Sequence, residues 1–448
     1  LREHGIKVYR LSEPILLAGR KFEKNDFVVP LAQPFRPFIK EVMEKQEFPV
    51  RHYTPDGKII KPYDITSWSL PLHRGILSIE INRRYKELED RLLPIEKAYD
   101  LNSKAPANYW AAVFNVKNNE SFKAIFQAVK QGLTVERTGE EKEIGDSVIP
   151  AGSFLIQNRS ESFNEWIEML SVAPLYLKNK TDWKTTVIKI PRIALVETFF
   201  HDMDAGWTRF IFDQYGLPYT IVRPGKFEDI TFEKEYDIVI FPDAPKSILM
   251  EGKWKSGDDY HISSYPPEFA KGIGKEGMKK LMTFLDKGGL IVSWGRSTRL
   301  FKGNLDIPTG KEKSEEFELP FDDISESLQK AGLYCPGSLV KIKIVPDHPL
   351  TFGIPSEIGV FYRGCPVFTT SLPYFDMDRR VIAGFPEKNI LMSGYCENEE
   401  KIGNKSAMIW LKKGKGQLVL IAFNPQFRAS TQASYKLLFN AVLLKNHI

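Results

Sequence analysis

The sequence predicts an α/β protein in which duplicated small β-α-β units precede a parallel-sheet domain with β-rich additions. Three observations carry that reading. Two segments match without a gap at one fixed offset, the mark of a duplicated supersecondary unit. From Pro191 onward, short apolar runs alternate with segments of helical period, the βαβ pattern of a parallel sheet covered on both faces. With 448 residues, 42% hydrophobic and 27% charged, the chain has core material for about three domains. The boundaries are placed at 1–105 (a truncated first unit with an aromatic loop and a helix), 106–190 (the second unit) and 191–448.

The repeat aligns His4-Gly-Ile-Lys-Val-Tyr-Arg10 with Gln131-Gly-Leu-Thr-Val-Glu-Arg137, and Phe27-Val-Val29 with Phe154-Leu-Ile156, both 127 residues apart. In the second copy Tyr109 to Asn115 reads as a strand. Asn118 or Asn119 caps a helix whose Phe122, Ile125, Phe126, Val129 and Leu133 follow helical spacing. Gly132 stands where a left-handed C-cap is wanted. Thr134 to Arg137 returns as a strand, and Ile149 to Ile156 is a turn leading into another. The first copy begins only at its own cap, Gly5, so the chain is expected to be a fragment or a processed product. Pro30 to Gln46 reads as a turn into a helix with Pro37 in its first turn. Lys61 to Gly75 is aromatic and turn-rich, and Pro94 bends or ends a charged helix that follows.

In the second half, Arg192–Glu197, Tyr219–Val222, Tyr236–Pro242 and Leu290–Trp294 read as buried strands. Helices are expected at Asp204–Tyr215 and Glu276–Lys287, where Met278, Leu281, Met282 and Leu285 face inward. Thr309 to Glu318 reads as a charged loop and Asp322 to Ala331 as a helix. Ser338–Val345 and Gly359–Phe361 are expected strands. Strand Gln417–Phe423 and helix Ser434–Leu444 return to complete the sheet.

The net charge is +5, with Lys and Arg interleaved among Asp and Glu, so no nucleic-acid footprint is expected. No apolar run reaches the roughly 18–20 residues of a membrane helix, and no membrane insertion is expected. Cys335, Cys365 and Cys396 are an odd number without CxxC spacing, so buried free thiols are expected, with at most one bridge and no cysteine zinc site. None of the seven histidines is followed by Glu at the third position, so no zinc peptidase ligand pair is present. Gly272-Ile-Gly-Lys-Glu-Gly277 follows no strand and is expected to feed a helix rather than hold a dinucleotide.

Chemistry-bearing residues gather where open α/β sheets bind ligands, beyond the strand ends. His201, Asp202 and Asp204 alternate there, and one divalent ion between them is weighed against a simpler reading: Asp204 caps the helix, Asp202 is solvated, and Trp207 and Phe210 pack inward. Ile291 to Thr298 reads as a strand–turn–helix corner with Ser293 and Ser297 as the nearby hydroxyls. His348 would be a base only if the fold brought it close. Arg296, Arg299 and Arg428 are candidate anion ligands, and Trp207 and Arg209 are further ligand-binding candidates. Asp64, Trp68 and Gln33 line either a peptide groove or a packed loop.

Phe27 to Gln46, Pro62 to Leu72, Met203 to Arg209, Tyr265 to Phe269, His348-Pro-Leu350, Phe423 to Arg428 and Phe439-Asn-Ala441 resemble the region downstream of the catalytic domain in bacterial zinc carboxypeptidase-like proteins. The second half resembles class I glutamine amidotransferase-like (flavodoxin-like) domains that lack the nucleophilic cysteine. The resemblance implies a secreted or periplasmic protein whose full form uses zinc, bound only in an upstream catalytic domain, to remove C-terminal residues from peptides. No cofactor and no catalytic residue is expected in this chain. The expected role is accessory: a substrate-binding or structural portion that takes a peptide or small-molecule ligand beside its catalytic domain. An independent hydrolase or amidotransferase-like enzyme, or a carbohydrate- or peptide-binding module, are the alternatives.

Overall fold

A computed structural model describes residues 1–96, 104–157, 160–200, 202–256, 259–261, 266–302, 305–308, 314–317, 319–374 and 376–447. The first portion builds a three-stranded antiparallel sheet from Tyr9–Leu11, Phe27–Val28 and Leu92–Pro94. Its own apolar cluster is small, centred on Leu11, Ile15 and Leu17.

The second unit is a five-stranded sheet. Its strands are β1 (Ala111–Phe114), β2 (Glu136–Thr138), β3 (Phe154–Ile156), β4 (Leu175–Leu177) and β5 (Thr185–Val187), in the order β4-β1-β3-β2-β5. Helix α1 (Asn119–Lys130) covers it, and Asn118 caps α1 by accepting from the Glu120 amide at 3.0 Å. All pairings within this sheet are antiparallel, so the unit is not a parallel β-α-β crossover.

The repeat holds in three dimensions, down to the register. Arg10 lies opposite Phe27 in the first copy, and Arg137 lies opposite Phe154 in the second. The hairpin Ile15–Leu17 with Arg20–Phe22 recurs as Lys142–Ile144 with Ser147–Ile149, again 127 residues on. Gly5 and Gly132 share a positive φ, 79° and 83°, a conformation glycine adopts without steric cost. The copies differ in their helix: α1 has 12 residues, whereas the first copy shows one turn of 3-10 helix at Arg2–His4.

From Pro191 the chain builds β6 (Ile193–Val196), α2 (Met203–Tyr215), β7 (Thr220–Val222), β8 (Ile238–Phe241), α3 (Gly274–Asp286), β9 (Leu290–Trp294), β10 (Ser338–Ile344), β11 (Glu357–Tyr362), β12 (Met377–Gly384), β13 (Ser406–Lys413), β14 (Gly416–Ile421) and α4 (Tyr435–Val442). These strands form one sheet in the order β7-β6-β8-β9-β14-β13-β12-β10-β11. Pairings from β7 to β14 are parallel, and those beyond β14 are antiparallel. Strands β6, β8 and β9 are buried along their whole length, which parallel strands need when helices cover both faces. Alternate residues serve opposite layers. Ile193, Leu195, Ile238 and Ile240 meet α2 and α4, whereas Ala194, Val196, Val239 and Phe241 meet α3.

Most element boundaries fall within two residues of expectation. The charged loop expected over 309–318 is partly strand: Ser314–Phe317 pairs with Leu305–Pro308, and 309–313 with 318 lie outside the described residues. The helix expected from Asp322 starts at Ser325, because Phe321–Asp323 is an edge strand. Among the described residues no helix is long and apolar enough to cross a membrane.

Candidate functional site

Sheet order locates the site. The chain runs to β7 on one side of β6 and to β8 on the other, so the strand order reverses between β6 and β8. Such a reversal opens a crevice at the carboxyl ends of the strands. Four strand ends meet there, and Asp204 joins them. Its Oδ1 accepts from Asn424 Nδ2 beyond β14 at 2.8 Å. Its Oδ2 accepts from the Asp243 amide beyond β8 at 3.1 Å, and from Trp294 Nε1 at the end of β9. Gln426 donates to the Asp204 carbonyl at 3.2 Å.

Burial pushes the Asp204 carboxyl up to about 7. The charge of Asp243 adds to that rise, and the Trp294, Asp243 and Asn424 donors oppose it. Asp243 is in turn clasped by Arg296: Nη2 reaches Oδ2 at 2.7 Å, and the Arg296 amide reaches Oδ1 at 2.6 Å. Arg296 Nε also reaches Oδ1 at 3.1 Å, so Nε and Nη2 grip the two carboxylate oxygens as a planar guanidinium fork does. The corner that carries Arg296 turns at Gly295, with φ 62°. A Cβ on Gly295 would come within 2.3 Å of Asp243 Oδ1, so the carboxylate occupies the space a side chain would need.

Several expectations are corrected here. Asp204 does not cap α2; Asp202 does, accepting from the Ala205 amide at 3.2 Å. Asp202 is not solvated either. It also accepts from the Thr198 amide at 2.8 Å, and burial pushes its carboxyl up to about 6. The two carboxylates therefore face different donors and do not converge as cation ligands. His201 lies outside the described residues. Among the described residues no group of three His, Cys, Asp or Glu side chains is placed to hold a metal ion. Trp207 is half-buried and meets Phe210 edge-on at 5.5 Å, while Phe210 is exposed rather than inward.

Ser297 is fully buried and its hydroxyl is committed to the Phe241 and Trp294 carbonyls and to Ser293 Oγ, so neither serine hydroxyl faces solvent. His348 is not brought to Ser297. It packs against Trp410 beside β13, accepts from the Leu350 amide at 3.2 Å, and is held by burial down to about 4. Arg428 is exposed, has a left-handed backbone at φ 46°, and lies over the Phe427 ring. Arg209 pairs with Glu197 at 3.2 Å, and Arg299 pairs with Asp323 at 2.6 Å. Gln33 and Trp68 are tied into the first portion by hydrogen bonds. Gln33 bonds both the Lys7 amide and carbonyl, and Trp68 donates to Glu41 at 3.0 Å. Asp64 lies 3.7 Å from Arg363 in an exposed pair.

One step along the same edge, at the ends of β6 and β7, lies a cavity of about 330 Å³. Phe199 and Phe269 line it with ring centroids 4.7 Å apart, and Arg223 stacks over Phe199 at 4.1 Å. Arg223 is anchored by the Glu197 and Thr198 carbonyls at 3.1 and 2.8 Å. Lys226, Lys271 and Glu268 line it as well; Arg223 pairs with Glu197 at 3.3 Å and Lys226 with Asp229 at 3.5 Å, while Lys271 adds a further basic group. None of Asp243, Asn424, Arg223, Phe199 or Phe269 was singled out from the sequence. The strand-end rule that pointed to Asp204 applies equally to Asp243 and Asn424, which follow β8 and β14 directly.

No family model matches the sequence, and no curated protein matches it. Among solved structures, the chain is similar to a ThuA-like protein of Bacteroides uniformis, at 13% identity over 56% of this chain and 89% of that one, with a TM-score of 0.31. It is also similar to a β-galactosidase of Bacillus circulans, at 10% identity over 56% of this chain and 31% of that one, with a TM-score of 0.29. Similarity at this level carries no argument about activity.

Proposed function

We propose that this chain is a non-catalytic, ligand-binding portion of a zinc carboxypeptidase-like protein, with its second half built on an amidotransferase-like domain. The observation that carries the reading is the cavity at the ends of β6 and β7. It offers an aromatic wall, Phe199 and Phe269, beside Arg223, Lys226 and Lys271. An apolar side chain next to a carboxylate matches that surface, and the C-terminal residue of a peptide presents both. The parallel run in which the second strand precedes the first also supports the domain assignment. Catalysis by this edge has no support in its hydroxyls. Ser293 and Ser297 are bonded inward, and Gly295 occupies the corner of the turn.

A fluorescently labelled peptide ending in a free aromatic residue tests the reading. Its free acid should bind at least about tenfold tighter than the same peptide amidated, a difference near 1.4 kcal/mol. Lys271→Glu should weaken the free acid and leave the amide unchanged, and no cleavage should appear with or without added zinc. Equal affinity for acid and amide would overturn the ligand class. Cleavage of the peptide would overturn the non-catalytic role.

A further inference from the structure

We infer that Cys335 and Cys396 are a redox pair that closes to a disulfide within the α/β domain, beside its seam with the first portion. Backbone register is the first ground. Tyr334 and Glu397 form an antiparallel bridge with both hydrogen bonds made, at 3.2 and 2.8 Å. Stepping one residue inward along both strands places Cys335 directly opposite Cys396. Beside a doubly bonded pair, the next antiparallel pair is a close one, with Cα atoms about 4.5 Å apart. That lies within the roughly 4.4–6.8 Å that a disulfide spans.

Side-chain proximity is the second ground, since each thiol acts on the other's protonation, an effect thiols exert only at close range. Both are free in this structure. Cys335 is 4% exposed and Cys396 is half-buried, so a reagent meets Cys396 first. Cys365 follows Gly364, which approaches Cys335, and the charges of Asp243, Arg299 and Arg296 act on its thiol.

The surroundings say what closure would hold. Thr66 donates through its amide and its hydroxyl to Gly337, two residues past Cys335, at 2.7 and 2.8 Å. The Tyr395 amide, next to Cys396, donates to Thr66 Oγ1 at 3.1 Å. Tyr334 donates its hydroxyl to the Pro62 carbonyl at 2.6 Å, and Lys61 pairs with Glu397. Both cysteines thus sit under the stretch Lys61–Thr66 where it crosses the α/β domain. A bridge would fix the two strands that grip it.

The oxidant is a low-molecular-weight disulfide such as oxidised glutathione. The Cys396 sulfur attacks it, forms a mixed disulfide and releases one thiol. The Cys335 sulfur then displaces the second thiol and forms the Cys335–Cys396 bond. Two electrons pass from the cysteines to the reagent, and the two cysteine protons leave on the released thiols.

The full chain should be reduced, equilibrated with increasing oxidised glutathione, denatured, alkylated and mapped by mass spectrometry. Two thiols should disappear together, with one linked peptide pair carrying Cys335 and Cys396 and with Cys365 alkylated. Cys365→Ser should form the same bridge. The oxidised chain should melt several degrees above the reduced one, because closure shortens the freedom of the unfolded chain. Three free thiols in excess oxidised glutathione would overturn the inference. So would a bridge that uses Cys365, or a glutathione adduct on Cys396 that never resolves.

Discussion

Asp204 accepts hydrogen bonds from three donors on three different strand ends, and its titration should be visible in the stability of the whole chain. Folded, the carboxyl holds its proton up to about pH 7, against an ordinary value of 3.8. Between those values the folded chain binds more protons than the unfolded one, so this group's contribution is complete below about pH 4 and lost as pH rises to 7. Asp202 acts in the same direction, whereas His73 and His348, held by burial down to about 4, act in the opposite one. A variant comparison cancels those shared effects. Asp204→Asn should cost about 1–3 kcal/mol, since the amide turns an N–H toward at least one donor. The gap to the parent chain should narrow from pH 4 to pH 7 in urea titrations. A gap that does not change with pH would show that the carboxyl titrates normally. The position of Asp204 beyond the first strand was legible in the sequence. Its partners were not, because Asp243, Trp294 and Asn424 reach it only through the order of four parallel strands.

At the scale of elements, the corner after β9 shows how a correct local reading led to the wrong side chain. Strand, turn and helical turn do follow one another at Leu290–Phe301, as the residue pattern implies. The sequence offers Ser293 and Ser297 as the hydroxyls of this corner, yet both are buried and bonded inward. The informative residue is Gly295, whose positive φ and close approach to Asp243 leave no room for a Cβ. Gly295→Ala should destabilise the chain by about 2–4 kcal/mol, from left-handed strain and from the displaced Asp243–Arg296 pair. A lower urea midpoint with an unchanged slope would register it. A neutral result would mean that Asp243 can move away at no cost. The repeat behaves differently, since matched residues at one offset yield matched registers. Hairpin pairing is local enough to be carried by sequence alone.

At the scale of the whole molecule, the second unit and the α/β domain share one core. Phe122, Phe126 and Phe154 of the unit join Tyr215 and Phe439 of the domain in one cluster, with Phe122 and Phe439 centroids 5.3 Å apart. The buried Arg137 donates to Asn440 across the same interface. These two regions should therefore unfold as one cooperative body. The first sheet packs on its own small cluster of Leu11, Ile15 and Leu17 and should open at lower cost. In native-state hydrogen exchange, the Leu11 amide should exchange at least about tenfold faster than the amides of Ile156 and Leu195. Equal protection would place the first sheet in the same cooperative unit. Residues 46–73 should side with the larger body, because Gln46, Thr66 and His73 are buried against Ser393, Ser338 and Ser430.

The sequence alone determined the α/β class, the alternation of buried strands and helices, and the 127-residue repeat. These are short-range properties: periodicity, caps and glycines act within a few residues and leave a readable trace. The tertiary structure decided which side chains meet. It set Asp204 against Asp243, Trp294 and Asn424, turned Ser297 inward, carried His348 to Trp410, and paired Tyr334 with Glu397. Those encounters depend on strand order and register, which join residues up to 220 positions apart. No local pattern encodes such a distance, so the site became legible only once the sheet was assembled.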